Sequence, residues 1–199
     1  MGSLNAPFGL RVTGRLDSGS LEVFRQYPIV SGLAVNIAAG DIVNLVDNGT
    51  STTVTKQTGT GDTSTDIAMI GVFVGCTYTD PSTGQITFSN MWPTGTVASD
   101  ALAFVCDDPQ ALYVVQADEA ITNAMDVYGK NAAIVQGAVN TTFKASRVAL
   151  DASTLSTDAN LPLRIIDYVG GPCGGENGTA FPLLIVKLNY TQLTAAVGV

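Results

Sequence analysis

Histidine is absent from the sequence. That removes Ser-His-Asp and Cys-His catalysis, every His-bearing zinc site and the commonest general base. Charge is scarce as well: 13% of the 199 residues are charged, about half the roughly 25% usual in soluble domains. Combined with 46% hydrophobic residues, this excludes a disordered chain, which needs high charge and low hydrophobicity, and a coiled coil, which needs Glu, Lys and Leu. Only 9 basic residues stand against 17 acidic ones, for a net charge of −8. The basic side chains are scattered singly, so no phosphate-neutralising stripe forms and direct nucleic-acid binding is not expected. No apolar run approaches the roughly 18 residues of a membrane span. No early basic stretch leads into an apolar core with a small-residue cleavage site, so synthesis in the cytosol and no membrane contact are expected. Cys76, Cys106 and Cys173 are an odd, irregularly spaced set that fits neither a disulfide framework nor a metal pair. Cys76 and Cys106 lie in apolar runs and read as buried free thiols.

What the sequence does contain is period-two patterning broken by turns. Strand candidates are Leu21 to Ile29, Leu33 to Ile37, Ile42 to Val46, Ala68 to Tyr78, Gln85 to Met91, Leu102 to Cys106 and Leu112 to Gln116, followed by Ala132 to Val139, Ser146 to Leu150, Leu163 to Val169 and Pro182 to Tyr190. Regular spacing of short strands is the mark of an antiparallel β-sandwich or barrel. The runs on either side of Ala39-Gly40-Asp41 read as a hairpin. Residues 50–66, rich in Thr, have extended propensity but little to bury, and read as an exposed loop or edge hairpin. Gly71 and Gly75 inside a dense apolar strand imply a bulge or a tight backbone approach. Leu183-Leu184-Ile185-Val186 is apolar on both faces, as a covered central strand would be. One short helix is expected from Asp118 to Met125, capped by Asp118 and ended by Gly129.

Residues 1–25 hold Arg11, Arg15 and Arg25 against Asp17 and Glu22, a slight positive excess on an otherwise acidic chain. They read as an N-terminal arm and first strand, with residues 26–199 as a single β-rich body.

Candidate chemistry is thin. The glycines of residues 170–178 carry Glu176 and Asn177 where a phosphate loop needs Lys and Ser or Thr, and Gly59-Thr60-Gly61-Asp62 lacks a third glycine. Asp107-Asp108 could offer oxygens to a hard cation, yet Pro109 follows, and an Asp-Asp-Pro turn accounts for the same residues. Asp118-Glu119 is accounted for by capping. Lys56, Lys130, Lys144 and Lys187 have no serine at a recognisable spacing. The expectation is a non-enzymatic protein with no catalytic residue, no metal and no cofactor.

Several words in the chain carry a resemblance. Asn5-Ala6-Pro7-Phe8-Gly9-Leu10-Arg11, Val105-Cys106-Asp107-Asp108-Pro109 before Val115-Gln116-Ala117-Asp118, and Val186-Lys187-Leu188-Asn189 resemble the capsid decoration, or cement, proteins of tailed bacteriophages. Relatives usually read Phe-Gly-Leu-Arg-Pro-Val, whereas Val12 follows Arg11 directly here. The resemblance implies a β-rich homotrimer, made in the host cytoplasm and carried on the outer capsid surface of the virion. There it would bridge and stabilise neighbouring major capsid subunits. Phe8, Leu10 and Arg11 are the expected capsid-docking residues, contacting a capsid subunit or adjacent protomer instead of their own core. A fibre, tail or baseplate β domain is the alternative, and a carboxylate-based hydrolase a more distant one.

Overall fold

The computed structural model describes residues 4–19, 24–61, 68–121, 124–171 and 178–194. The chain is all-β. Its strands are β1 (Arg11–Arg15), β2 (Phe24–Pro28), β3 (Ile37–Ala38), β4 (Ile42–Asp47), β5 (Thr52–Lys56), β6 (Gly71–Thr79) and β7 (Ile86–Ser89), then β8 (Met91–Trp92), β9 (Leu102–Cys106), β10 (Ala111–Gln116), β11 (Asn131–Val135), β12 (Ala149–Ser156), β13 (Leu163–Tyr168) and β14 (Leu183–Leu188). One six-stranded sheet runs β1-β10-β14-β13-β11-β12, and a second runs β2-β9-β6-β4-β5 with β7 also paired to β6. Every strand pairing is antiparallel. The sheets form a sandwich-like arrangement and are not closed into a barrel.

The second sheet serves a core on each of its faces. Along β4, β6 and β9 neighbouring residues point to opposite sides: Ile42, Val72 and Cys106 join Tyr113, Leu150 and Val186 of the first sheet. Val43, Phe73 and Val105 join Ile29, Ile37 and Trp92 on the far side. There Trp92 meets the Tyr78 ring edge-on, with centroids 5.3 Å apart. The two cores therefore share a backbone layer but hardly a side chain.

Gly71 shows why β6 needs glycine. A Cβ there would stand 2.1 Å from the Cys106 carbonyl oxygen, so β6 and β9 could not approach at their present spacing. The ladder between them also slips between Phe73 and Gly75. The central strand anticipated at Leu183-Val186 is β14, which lies between β10 and β13. Leu184 and Val186 are fully buried, while Leu183 and Ile185 are only half-buried on the outer face.

Three local expectations are corrected, and a fourth is decided between its two alternatives. The hairpin about Ala39-Gly40-Asp41 does not form: β3 pairs with β8 and β4 with β5 and β6. Asp41 turns the chain, accepting the Ala38 amide at 2.8 Å, and Gly40 donates to Phe73 O at 2.9 Å. Of the two readings of the Thr-rich run, Thr52–Lys56 takes the edge hairpin, as edge strand β5 paired to β4, with Val54 fully buried. The β4–β5 turn is held by Asn48 Oδ1, which accepts the Thr50 and Ser51 amides. No helix begins at Asp118; a 3-10 turn at Ala124–Asp126 is the helical element among the described residues. Asp118 instead accepts the Ala152 amide at 3.0 Å and donates its own amide to Leu150 O, fastening β12. Within Leu21 to Ile29, β2 is mostly exposed, and residues 21–23 lie outside the described ones.

Candidate functional site: an aromatic groove beside the N-terminal segment

The N-terminal segment is laid onto its own body. Gln116, buried in the first sheet, accepts the Ala6 amide and donates to Leu4 O, each at 2.9 Å. Farther on, Gly9 donates to Val148 O and Leu10 to Gly40 O. Gly9 has φ +78, and a Cβ there would lie 2.5 Å from both Gly40 O and Ser146 Cβ. Only glycine passes this point without displacing either neighbour.

Below this crossing lies a buried polar clasp. Lys56 Nζ and Ser146 Oγ both reach Asp41 Oδ1, at 2.9 and 2.7 Å. A lysine and a serine far apart in sequence thus meet on one carboxylate, which their spacing did not reveal. The Ser146 hydroxyl donates to Asp41 and accepts the Val148 amide at 3.0 Å. It is engaged on both sides, and the cluster joins the turn leading into β4, β5 and the 145–148 segment instead of presenting a nucleophile.

Of the three expected docking residues, Leu10 is in its own core, 2% exposed among Ile42, Tyr113 and Val148. That corrects the expectation for Leu10: buried between the sheets, its side chain leaves almost no apolar surface for an external contact. Phe8 and Arg11 stay at the surface, with the Arg11 guanidinium 4.6 Å above the Phe8 ring, a cation–π arrangement. With valine at position 12 instead of proline, β1 starts at Arg11 and pairs with β10.

Phe8 and Arg11 form one wall of an open cleft of about 380 Å³, shared with Val12, Phe24, Val74 and Phe143. A second cleft of about 300 Å³ continues from Phe24 and Val74 to Phe88 and Phe104. The groove exists because the first sheet covers Val72 and Cys106 and leaves the continuation of β6 and β9 open. Phe143, Phe88 and Phe24 are 78%, 76% and 47% exposed. Sequence reasoning missed these three, although an aromatic inside the polar turn Asn140-Thr141-Thr142-Phe143-Lys144 was a usable signal.

The groove is electrostatically one-sided. Arg11 and Lys144 line the first cleft, and Arg147 lines an adjoining one with Pro7 and Phe8. Among the described residues no carboxylate lines these clefts. None of the three cations stands in a salt bridge among the described residues. Lys144 is held at φ 51 at the end of a loop closed by Asn140 and Ala145, whose amides each donate to the other's carbonyl. Beneath it, burial pushes the Cys76 thiol up to about 12, with Lys144 opposing.

The paired carboxylates are occupied elsewhere. Asp107 Oδ2 accepts from Arg25 Nη1 at 2.9 Å and Tyr27 OH at 2.6 Å, and Asp107 Oδ1 is buried without a hydrogen-bond partner. Asp108 lies 3.2 Å from Arg15 Nε and accepts the Gln110 amide, the turn geometry its sequence suggested. Burial first, then the bond to Asp107, raises the Tyr27 hydroxyl to about 12. Among the described residues no three His, Cys, Asp or Glu side chains converge as metal ligands would. Cys76 and Cys106 are buried and free. Within 170–178, Gly170 and Gly171 turn the chain at positive φ, and residues 172–177 lie outside the described ones, as does Cys173. Comparison with protein families, with curated proteins and with solved structures finds no match to this chain.

Proposed function

We propose that the chain is a structural virion protein. It decorates an icosahedral phage capsid as a homotrimer and stabilises the shell by bridging neighbouring major capsid subunits. The observation that carries this reading is the groove: clustered phenylalanines held at the surface by a rigid scaffold are a protein-contact feature. The Asn5-to-Arg11 word, which resembles the cement proteins, builds one wall of it. Phe8 and Arg11 keep their docking role in this reading, while Leu10 acts by holding the segment in place. Cryo-electron microscopy of the particle encoded with this chain tests it. Density at three-fold and quasi-three-fold positions of the head is the expected result, and density confined to the tail would replace the proposal with a fibre or baseplate role. Sedimentation of the purified chain is expected to give the mass of three copies.

A further inference from the structure

From the groove's own chemistry we infer its occupant: an extended segment of a partner protein that carries carboxylates beside bulky apolar side chains. This rests on the reading of the chain as a protein-binding module. The floor, formed by Val74, Phe24 and Phe104, is apolar and suits leucine, isoleucine or phenylalanine side chains. The rim is cationic and unpaired: Arg11, Lys144 and Arg147 are all exposed and have no carboxylate partner among the described residues. Three of the chain's 9 basic residues therefore collect around one groove on a protein of net charge −8. Such a concentration against the overall sign is charge complementarity for an acidic segment. Arg11 is the strongest anchor. Its guanidinium rests on Phe8, which fixes the plane and leaves the N–H fork free for bidentate contact with a carboxylate.

Nucleic acid would also welcome cations and aromatics. It is disfavoured here because three cations neutralise few phosphates and the rest of the molecule repels a polyanion. The clefts also offer mostly hydrocarbon where a base would need hydrogen-bonding edges.

The test is a display selection of random dodecapeptides on the full-length chain, with the charge-reversed variant R11E/K144E/R147E selected in parallel. The native chain is expected to enrich Asp and Glu next to Phe, Leu or Ile, and the variant to enrich Lys and Arg. A peptide enriched on the native chain is expected to bind the variant about tenfold more weakly, in line with several rim charges each contributing modestly. It is also expected to weaken with added sodium chloride. Phe143→Ser, at an exposed loop tip, is expected to weaken the same peptide with the charges intact, so the result does not depend on one variant folding. No enrichment, enrichment of basic or uncharged motifs, or binding indifferent to both variants would overturn the inference. The capsid reading fails separately: normal head decoration by R11E/K144E/R147E would sink the groove and leave the capsid role standing. Peptide binding by a chain found only on tails would do the reverse.

Discussion

Placing alanine at position 9 puts a methyl group 2.5 Å from Gly40 O and Ser146 Cβ, on a backbone with φ +78. Gly9→Ala is expected to destabilise the protein by more than about 1 kcal/mol, read as a lowered urea midpoint with unchanged slope. Lys56→Met strips the cation from Asp41, which is fully buried. A loss of about 3–5 kcal/mol is expected in the same assay, since a buried carboxylate is left without its counter-charge. Tyr27 gives a pH signature. Its folded-state pKa, about 12, lies above the ordinary 10.0, so the native state holds this proton more tightly than the unfolded chain. The resulting stability is complete below pH 10 and is lost as pH climbs from there through 12. Thermal melts of Tyr27→Phe are expected to fall less steeply over that window than those of the native protein; an identical slope would rule the tyrosine out as the source.

Strand by strand, the sequence was most legible where hydrophobic alternation and local turns suffice. Leu102–Cys106 was read with the bounds it has as β9, and β10 starts at Ala111, one residue earlier than expected. Gly71 and Gly75 announced their close approach and bulge. Legibility failed where a distant partner decides. Ile37–Ala38 pairs with Met91–Trp92 because buried Asp41 diverts the chain. Val54 is core only because β4 lies beside β5, and Asp118 caps no helix because β12 claims its carboxylate. The groove was half legible: Phe8 and Arg11 stood out as a word, whereas Phe24, Phe88 and Phe143 meet only through the tertiary fold. The N-terminal segment shows the same limit. An arm seated only on a neighbour could be cut away without harm to the body. Here Leu10 fills the core, so deleting residues 1–11 is expected to lower stability by about 2–5 kcal/mol, the range for emptying a buried leucine site. The cleaner probe of the proposed docking is Phe8→Ser with Arg11→Glu, expected to leave the melting profile nearly unchanged and, if the capsid proposal holds, to abolish shell binding.

For the molecule as a whole, the two cores are welded along one sheet, so neither can come apart without exposing β4, β6 and β9. A single unfolding transition is expected, with Trp92 fluorescence on one side and far-ultraviolet dichroism of both sheets coinciding; separated midpoints would show two independent units. The outermost strand of the first sheet, β1, is bound to β10, β10 to β14, and Gly9 to Val148. Apart from Gly40 and Ile42, what receives this N-terminal segment is thus made late. At roughly 5–20 residues per second of translation, β1 leaves the ribosome several seconds before β10 and longer still before β14 exists. The wall of the groove built from Phe8 and Arg11 cannot be erected before those later segments exist. If the groove docks a partner as proposed, that docking waits until β14 has been made, and a ribosome-bound fragment ending before residue 146 would carry the Asn5-to-Arg11 word without the surface that seats it.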